Sequence, residues 1–209
     1  MASASAGPFS LFCGGLAPSG DTSICDMYDA RDGSWSVGHL AAPVREISGA
    51  SIAYDGLEMA VFLGGGHTNV FNAKTASWTY GNATAGRSPW AKMGRATVGG
   101  RYAVFGGGNG NCNAIEIYDA AANSESDVVA TIVLLSRCIR AVAAPADLKA
   151  PCSGWTFAAH NLSLGREQVM GAGTADMVGF AGGTIGAYKP TGYTDRVDLF
   201  RISDLLPKS

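Results

Sequence analysis

The chain has 209 residues, of which 47% are hydrophobic and only 15% charged, with a formal net charge of −2. Its 15 Lys and Arg residues are dispersed, without the basic tract that follows a phosphate backbone, so nucleic acid is not an expected partner. The longest apolar run, Val128 to Leu135 with Thr131 inside it, is far short of the ~20 residues a spanning helix needs.

In chain order, residues 1–8, Met-Ala-Ser-Ala-Ser-Ala-Gly-Pro, lack a basic n-region and read as a flexible leader to a single domain over 9–209. A recurrent phrase then begins, in which an apolar strand runs into consecutive glycines: Leu11 to Gly15, Val61 to Gly66, Ala103 to Gly108 and Val178 to Gly183. Each is followed by a second strand bearing an aromatic: Ile24 to Asp29 with Tyr28, Val70 to Asn72 with Phe71, Ile115 to Asp119 with Tyr118, and Val197 to Arg201 with Phe200. Tryptophan stands seven residues beyond the aromatic in the first two copies, Tyr28 to Trp35 and Phe71 to Trp78. Arg45 and Arg95 open alternating small-apolar segments that lead back to the next glycine strand. The segments are short, β-prone and punctuated by Gly, Asn, Asp and Pro, and no long helical period occurs.

A unit that cannot bury its apolar face alone must stack on copies of itself, so this self-similarity predicts an all-β repeat protein. The order of glycine pair, Tyr-Asp, tryptophan and arginine resembles the kelch repeat. The resemblance implies a β-propeller of four to five partly degenerate blades, each a four-stranded sheet. The wide gap between the last two glycine pairs predicts a hidden copy. The preferred place is Gly154 to Asn161, where Ala158-Ala159 replaces the glycine pair; the alternative is Val142 to Ala144, with Trp155 to Leu162 as an outer strand. Residues 9–15 are the expected closing strand of the last blade, and failing closure the open edge predicts a covering partner or self-association.

Tyr28, Phe71, Tyr118, Phe200, Trp35 and Trp78 are expected in the core between blades. The Asp that follows Tyr is expected to fix a turn. The five cysteines include no C-x-x-C pair, which leaves little support for structural zinc. Cys13 reads as a small buried hydrophobe, and Cys138–Cys152 is the candidate bridge.

No chemistry is legible. Three histidines, His39, His67 and His160, share no local ligand spacing for copper, and Gly-x-Ser-x-Gly is absent. No cofactor or metal is expected. Loops of unequal length on a fixed scaffold suit recognition instead. In kelch proteins the residues after the glycine pair and the arginines opening the first strands often form the binding face. On this chain the resemblance implies His67, Asn69, Asn109, Asn111, Asn161, Thr184 and Tyr188, with Arg45, Arg95, Arg140 and Arg166. The function expected is a non-catalytic protein-interaction module or structural subunit of a larger assembly. The alternative is a small-molecule enzyme or carbohydrate-binding propeller using the axial channel.

Overall fold

The computed structural model describes residues 1–82, 93–108, 115–123, 155–157, 162, 168–185 and 192–206. The first sheet takes β1 (Ala2–Ala6), β2 (Phe9–Cys13), β5 (Ile24–Asp29) and β6 (Ser34–His39), in that spatial order. Between β2 and β5 lies a small hairpin of β3 (Leu16–Ala17) and β4 (Gly20–Asp21). The second sheet is β7 (Ile47–Tyr54), β8 (Leu57–Gly64), β9 (His67–Asn72) and β10 (Ser77–Asn82). The third is β11 (Gly94–Val98), β12 (Tyr102–Gly106), β13 (Ile115–Asp119) and β14 (Trp155–Phe157). The fourth has three strands, β15 (Met170–Gly173), β16 (Met177–Ala181) and β19 (Val197–Arg201), with a hairpin of β17 (Thr184–Ile185) and β18 (Gly192–Tyr193) inserted before β19. One turn of helix, α1 (Ile202–Leu205), follows. All pairings are antiparallel.

The sheets follow one another in chain order, and their first strands lie side by side. Ser5 N–H donates to Ser51 Oγ at 2.7 Å, Thr97 Oγ1 to the Ser51 carbonyl at 2.6 Å, and Gly99 N–H to the Thr174 carbonyl at 2.9 Å. These bonds tie β1 to β7, β7 to β11, and the third sheet to the fourth. Side chains impose a limit on how near such strands come. A Cβ on Gly171 or Gly173 would collide with the backbone of Arg95 or Thr97, so glycine in β15 permits its approach to β11.

Three cores form, one at each junction. Phe62, Phe71 and Trp78 of the second sheet pack against Leu11, the two cysteines and the alanines of β1. Phe105 and Tyr118 of the third meet Ile52, Val61, Leu63 and Val70 of the second. Phe180 and Phe200 of the fourth meet Val98, Val104, Ile115 and Ile117 of the third. The second, third and fourth sheets therefore turn most of their aromatics toward the sheet before them, their upstream face, and the first three turn mainly aliphatic residues toward the sheet after them. The central strands β8 and β12 are covered on both faces and are buried almost continuously, whereas β2, β16 and β19 alternate.

The register explains the seven-residue spacing. Tyr28 lies directly opposite Trp35 and Phe71 opposite Trp78, each across a hairpin with a four-residue loop. Tyr118 likewise lies opposite Trp155. Trp155–Phe157 is therefore the outer strand of the third sheet, displaced by a long insertion, and not a glycine strand of a separate unit. This overturns the preferred hidden copy at 154–161; residues 142–144 lie outside the described residues. Four principal sheets are present among the described residues.

Further expectations are corrected. Residues 1–8 are no loose leader: Ala2, Ala4 and Ala6 are buried in β1 while Ser3 and Ser5 face out, because small side chains fit the crowded seam against β7. Strand β2 does not complete the last sheet, since both its edges are taken by β1 and β5. Cys13 is no isolated hydrophobe: it stands opposite Cys25 in the ladder, and the two form a disulfide. Trp35 is 63% exposed, because none of the described sheets packs on that face of the first. The turn expectation holds at Asp29 and Asp119, whose Oδ1 accepts from the N–H two residues on, and Asn72 after Phe71 does the same in the second sheet.

Candidate functional site

The glycine pairs all lie at one end of the stack. Both members of each pair have positive φ, as in Gly65 at 62° and Gly66 at 79°. In the second sheet these two residues alone join β8 to β9, since Gly64 pairs with His67, and two positive φ angles in a two-residue hairpin are what a type I′ turn demands. In the first and fourth sheets the chain leaves the pair into an inserted hairpin before returning. The carbonyls of Gly15 and Gly183 hold these insertions, accepting from Thr22 N–H and Thr194 N–H, each at 3.1 Å. The glycine end thus presents a fixed turn followed by loops of different length.

The connector from the first sheet to the second runs across the same end. Residues 40–46 are stitched to the first sheet's loop: Gly15 N–H donates to Val44 O at 2.8 Å, Val44 N–H to Thr22 O at 3.1 Å, and Leu40 N–H to Ser23 O at 2.8 Å. Ser48 Oγ donates to Met93 O at 2.9 Å, tying the next connector to β7.

Arg45, His67, Asn69, Arg95 and Thr184 are all brought to this end. They differ in what they offer. Arg95 in β11 is exposed, and His67 at the start of β9 is half-buried. Arg45 is exposed but its Nε donates to Asp21 Oδ1 at 3.0 Å, clamping the β3–β4 hairpin to the connector that enters the second sheet. Asn69 is 1% exposed, and its Oδ1 accepts from Ala41 N–H at 2.7 Å, so its side chain anchors the connector. Thr184 is buried in β17. Asn109, Asn111, Arg140, Asn161, Arg166 and Tyr188 lie outside the described residues, as do Cys138 and Cys152.

The opposite, hairpin end carries a two-point ion pair. Arg101 donates from Nε and Nη2 to both oxygens of Asp119 at 2.6 Å, and its guanidinium lies 4.8 Å and 5.5 Å from the ring centres of Tyr102 and Tyr54. Hydrogen bonding to Asp119 raises the Arg101 pKa, while burial raises that of the Tyr102 hydroxyl. Hydrogen bonds from Arg31 hold the Asp29 carboxyl below its usual range. These pairs close turns and sheet junctions.

Two features escaped the sequence reading. Asp21, the partner of Arg45, sits in a loop with no repeat signal. The Cys13–Cys25 bridge did carry one: both residues end strands that flank the same glycine pair. Among the described residues no cluster of three or more His, Cys, Asp or Glu is placed to hold a metal, and no helix is long and apolar enough to cross a membrane.

No family model matches the chain, and no curated protein matches it. Among solved structures, 107 chains match. One, described as "Structure of YjhT", is similar with a TM-score of 0.57 at 12% identity, over 97% of this chain and 68% of that one. At that identity the likeness is one of fold.

Proposed function

We propose that the four sheets are blades of a kelch-like β-propeller, and that the chain is a non-catalytic protein-interaction module or structural subunit binding a partner across its glycine end. One observation carries this reading: the strand register and glycine turn repeat from sheet to sheet, while the loops emerging from them do not. A scaffold that holds its framework constant and varies what it displays is built for recognition. Arg95 and His67 are the described candidates whose side chains reach the surface there without a structural tie to a loop, and an exposed arginine on a rigid strand suits hydrogen-bonded contact with a protein's carboxylates and carbonyls.

The test is affinity capture followed by quantification. A protein recovered on the immobilised chain is identified, and its affinity measured for wild type, Arg95→Glu and, at the opposite end, Arg31→Glu. The expected result is a loss of at least about tenfold for Arg95→Glu, as for a central interface residue, with an unchanged melting temperature and no loss for Arg31→Glu. Equal affinity for all three overturns the glycine-end surface. Stoichiometric glycan binding or turnover, without protein capture, overturns the function.

A further inference from the structure

The two ends of the stack expose faces that every other sheet buries. The upstream face of the first sheet carries Phe12, Tyr28, Trp35 and Val37; in the second sheet the equivalents of the first three, Phe62, Phe71 and Trp78, are packed against a neighbour. Trp35 lies 5.2 Å from Tyr28 and 6.2 Å from Phe12 between ring centres, so the three form one aromatic patch, and Trp35 and Val37 are more than 60% exposed. By contrast, Trp78, the counterpart of Trp35, lies against the first sheet, where Gly38 leaves room for its indole: a Cβ there would stand 2.8 Å from Trp78 Nε1. At the other end, the downstream face of the fourth sheet exposes Met170, Val197 and Leu199, at 78%, 60% and 66%.

These faces are complementary in kind. All three junctions inside the chain join an aromatic upstream face to a mainly aliphatic downstream one, and the free faces are one of each. Each also carries a charged residue, and on the fourth sheet Arg201 lies 3.9 Å from Asp176. Asp26 stands in the same register row as Phe12 and Val37 on the first sheet, and Arg201 alternates onto the face of Val197 and Leu199 on the fourth. Clustered exposed apolar side chains of this kind mark association surfaces.

We infer that the occupant of each face is a second copy of this chain, the fourth sheet of one molecule packing on the first sheet of the next. The contact is heterologous, because different faces meet, and it repeats the sheet-on-sheet junction that already recurs three times within the chain. This association stands independently of the glycine-end surface.

Light scattering on the intact chain from low to high micromolar tests it. Wild type is expected to form dimers or longer oligomers, whereas Trp35→Lys and Leu199→Glu are each monomeric and folded by circular dichroism. Mixed together, the two variants retain one good face of each kind and are expected to give a 1:1 dimer that cannot grow. Because both positions are exposed, folding is expected to survive; if either variant does not fold, Val37→Lys and Val197→Glu, at positions equally exposed on the same faces, replace them, each weakening association alone and restoring it when mixed. A wild-type monomer at every concentration overturns the inference, since the faces are then covered by something other than a second copy. Association that persists in either variant alone, or no recovery in the mixture, overturns the head-to-tail pairing.

Discussion

Glycine at the turn of each sheet is required for two separable reasons. At Gly66 an added Cβ would meet no atom within 4 Å, so only its φ of 79° penalises another residue. Gly66→Ala is expected to cost ~1–2 kcal/mol, the price of a left-handed L-residue. At Gly106 the backbone is ordinary but a Cβ would stand 2.9 Å from the Phe180 ring, so Gly106→Ala is expected to cost ~1–3 kcal/mol by overpacking the junction with the fourth sheet. The same logic runs in reverse at Ala76, which closes the β9–β10 loop at φ 49° where Gly33 closes the equivalent loop of the first sheet. Ala76→Gly is expected to stabilise by roughly 0.5–1 kcal/mol, because relief of left-handed strain exceeds the added entropy of the unfolded chain. Urea titrations of the three variants check both signs. These glycines were legible in the sequence because consecutive glycine after an apolar strand has few other uses. Asp21 was not, since nothing local marks which carboxylate a distant arginine will meet.

Within an element, register turns out to be the quantity the sequence displays most clearly. The interval from Tyr28 to Trp35 and from Phe71 to Trp78 is the contour length around a four-residue hairpin loop, so a spacing in one dimension states a pairing in two. The same pairing in the third sheet was hidden because the chain leaves β13 and returns to it only at Trp155, and spacing cannot survive an insertion of that length. Strand β1 was missed for a different reason: its Ala-Ser alternation has the period of a strand, but small side chains carry little of the hydrophobic signal by which strands are recognised. The disulfide is the covalent counterpart of this register, joining β2 to β5 at directly opposed positions with both cysteines fully buried. Its loop spans a sequence separation of 12 residues. Replacing both cysteines with alanine is expected to lower stability by ~2–4 kcal/mol through the freer unfolded chain, and the same loss should appear on adding reductant only after partial denaturation. A variant as stable as wild type, or reduction of the native protein at the rate of an exposed bridge, contradicts it.

Across the whole molecule, stability is set by junctions and not by sheets. Each junction buries aromatics of one sheet in the next, and removing any of Phe62, Phe71 or Phe105 is of order 3–5 kcal/mol for Phe→Ala. The second and third sheets take part in two junctions each, but the first and fourth in one. A linear array of this kind loses its ends first, because an end sheet opens at the cost of a single interface. Backbone amides of β8 and β12 are therefore expected to exchange hydrogen slowest, approaching the global unfolding limit, and those of β6 and β19 fastest among the strands. Among the described residues the two ends are not equal: the first sheet has four strands, a disulfide and a connector stitched across its loop, whereas the fourth has three strands and one helical turn against it. Exchange in β16 and β19 should accordingly outpace that in β2 and β5. Head-to-tail association adds a junction at both ends, so raising protein concentration should slow exchange in β6 and β19 together while leaving β8 unchanged. Uniform protection along the chain would mean that the four sheets open as one unit, and protection rising at only one end would mean that the contact joins like faces.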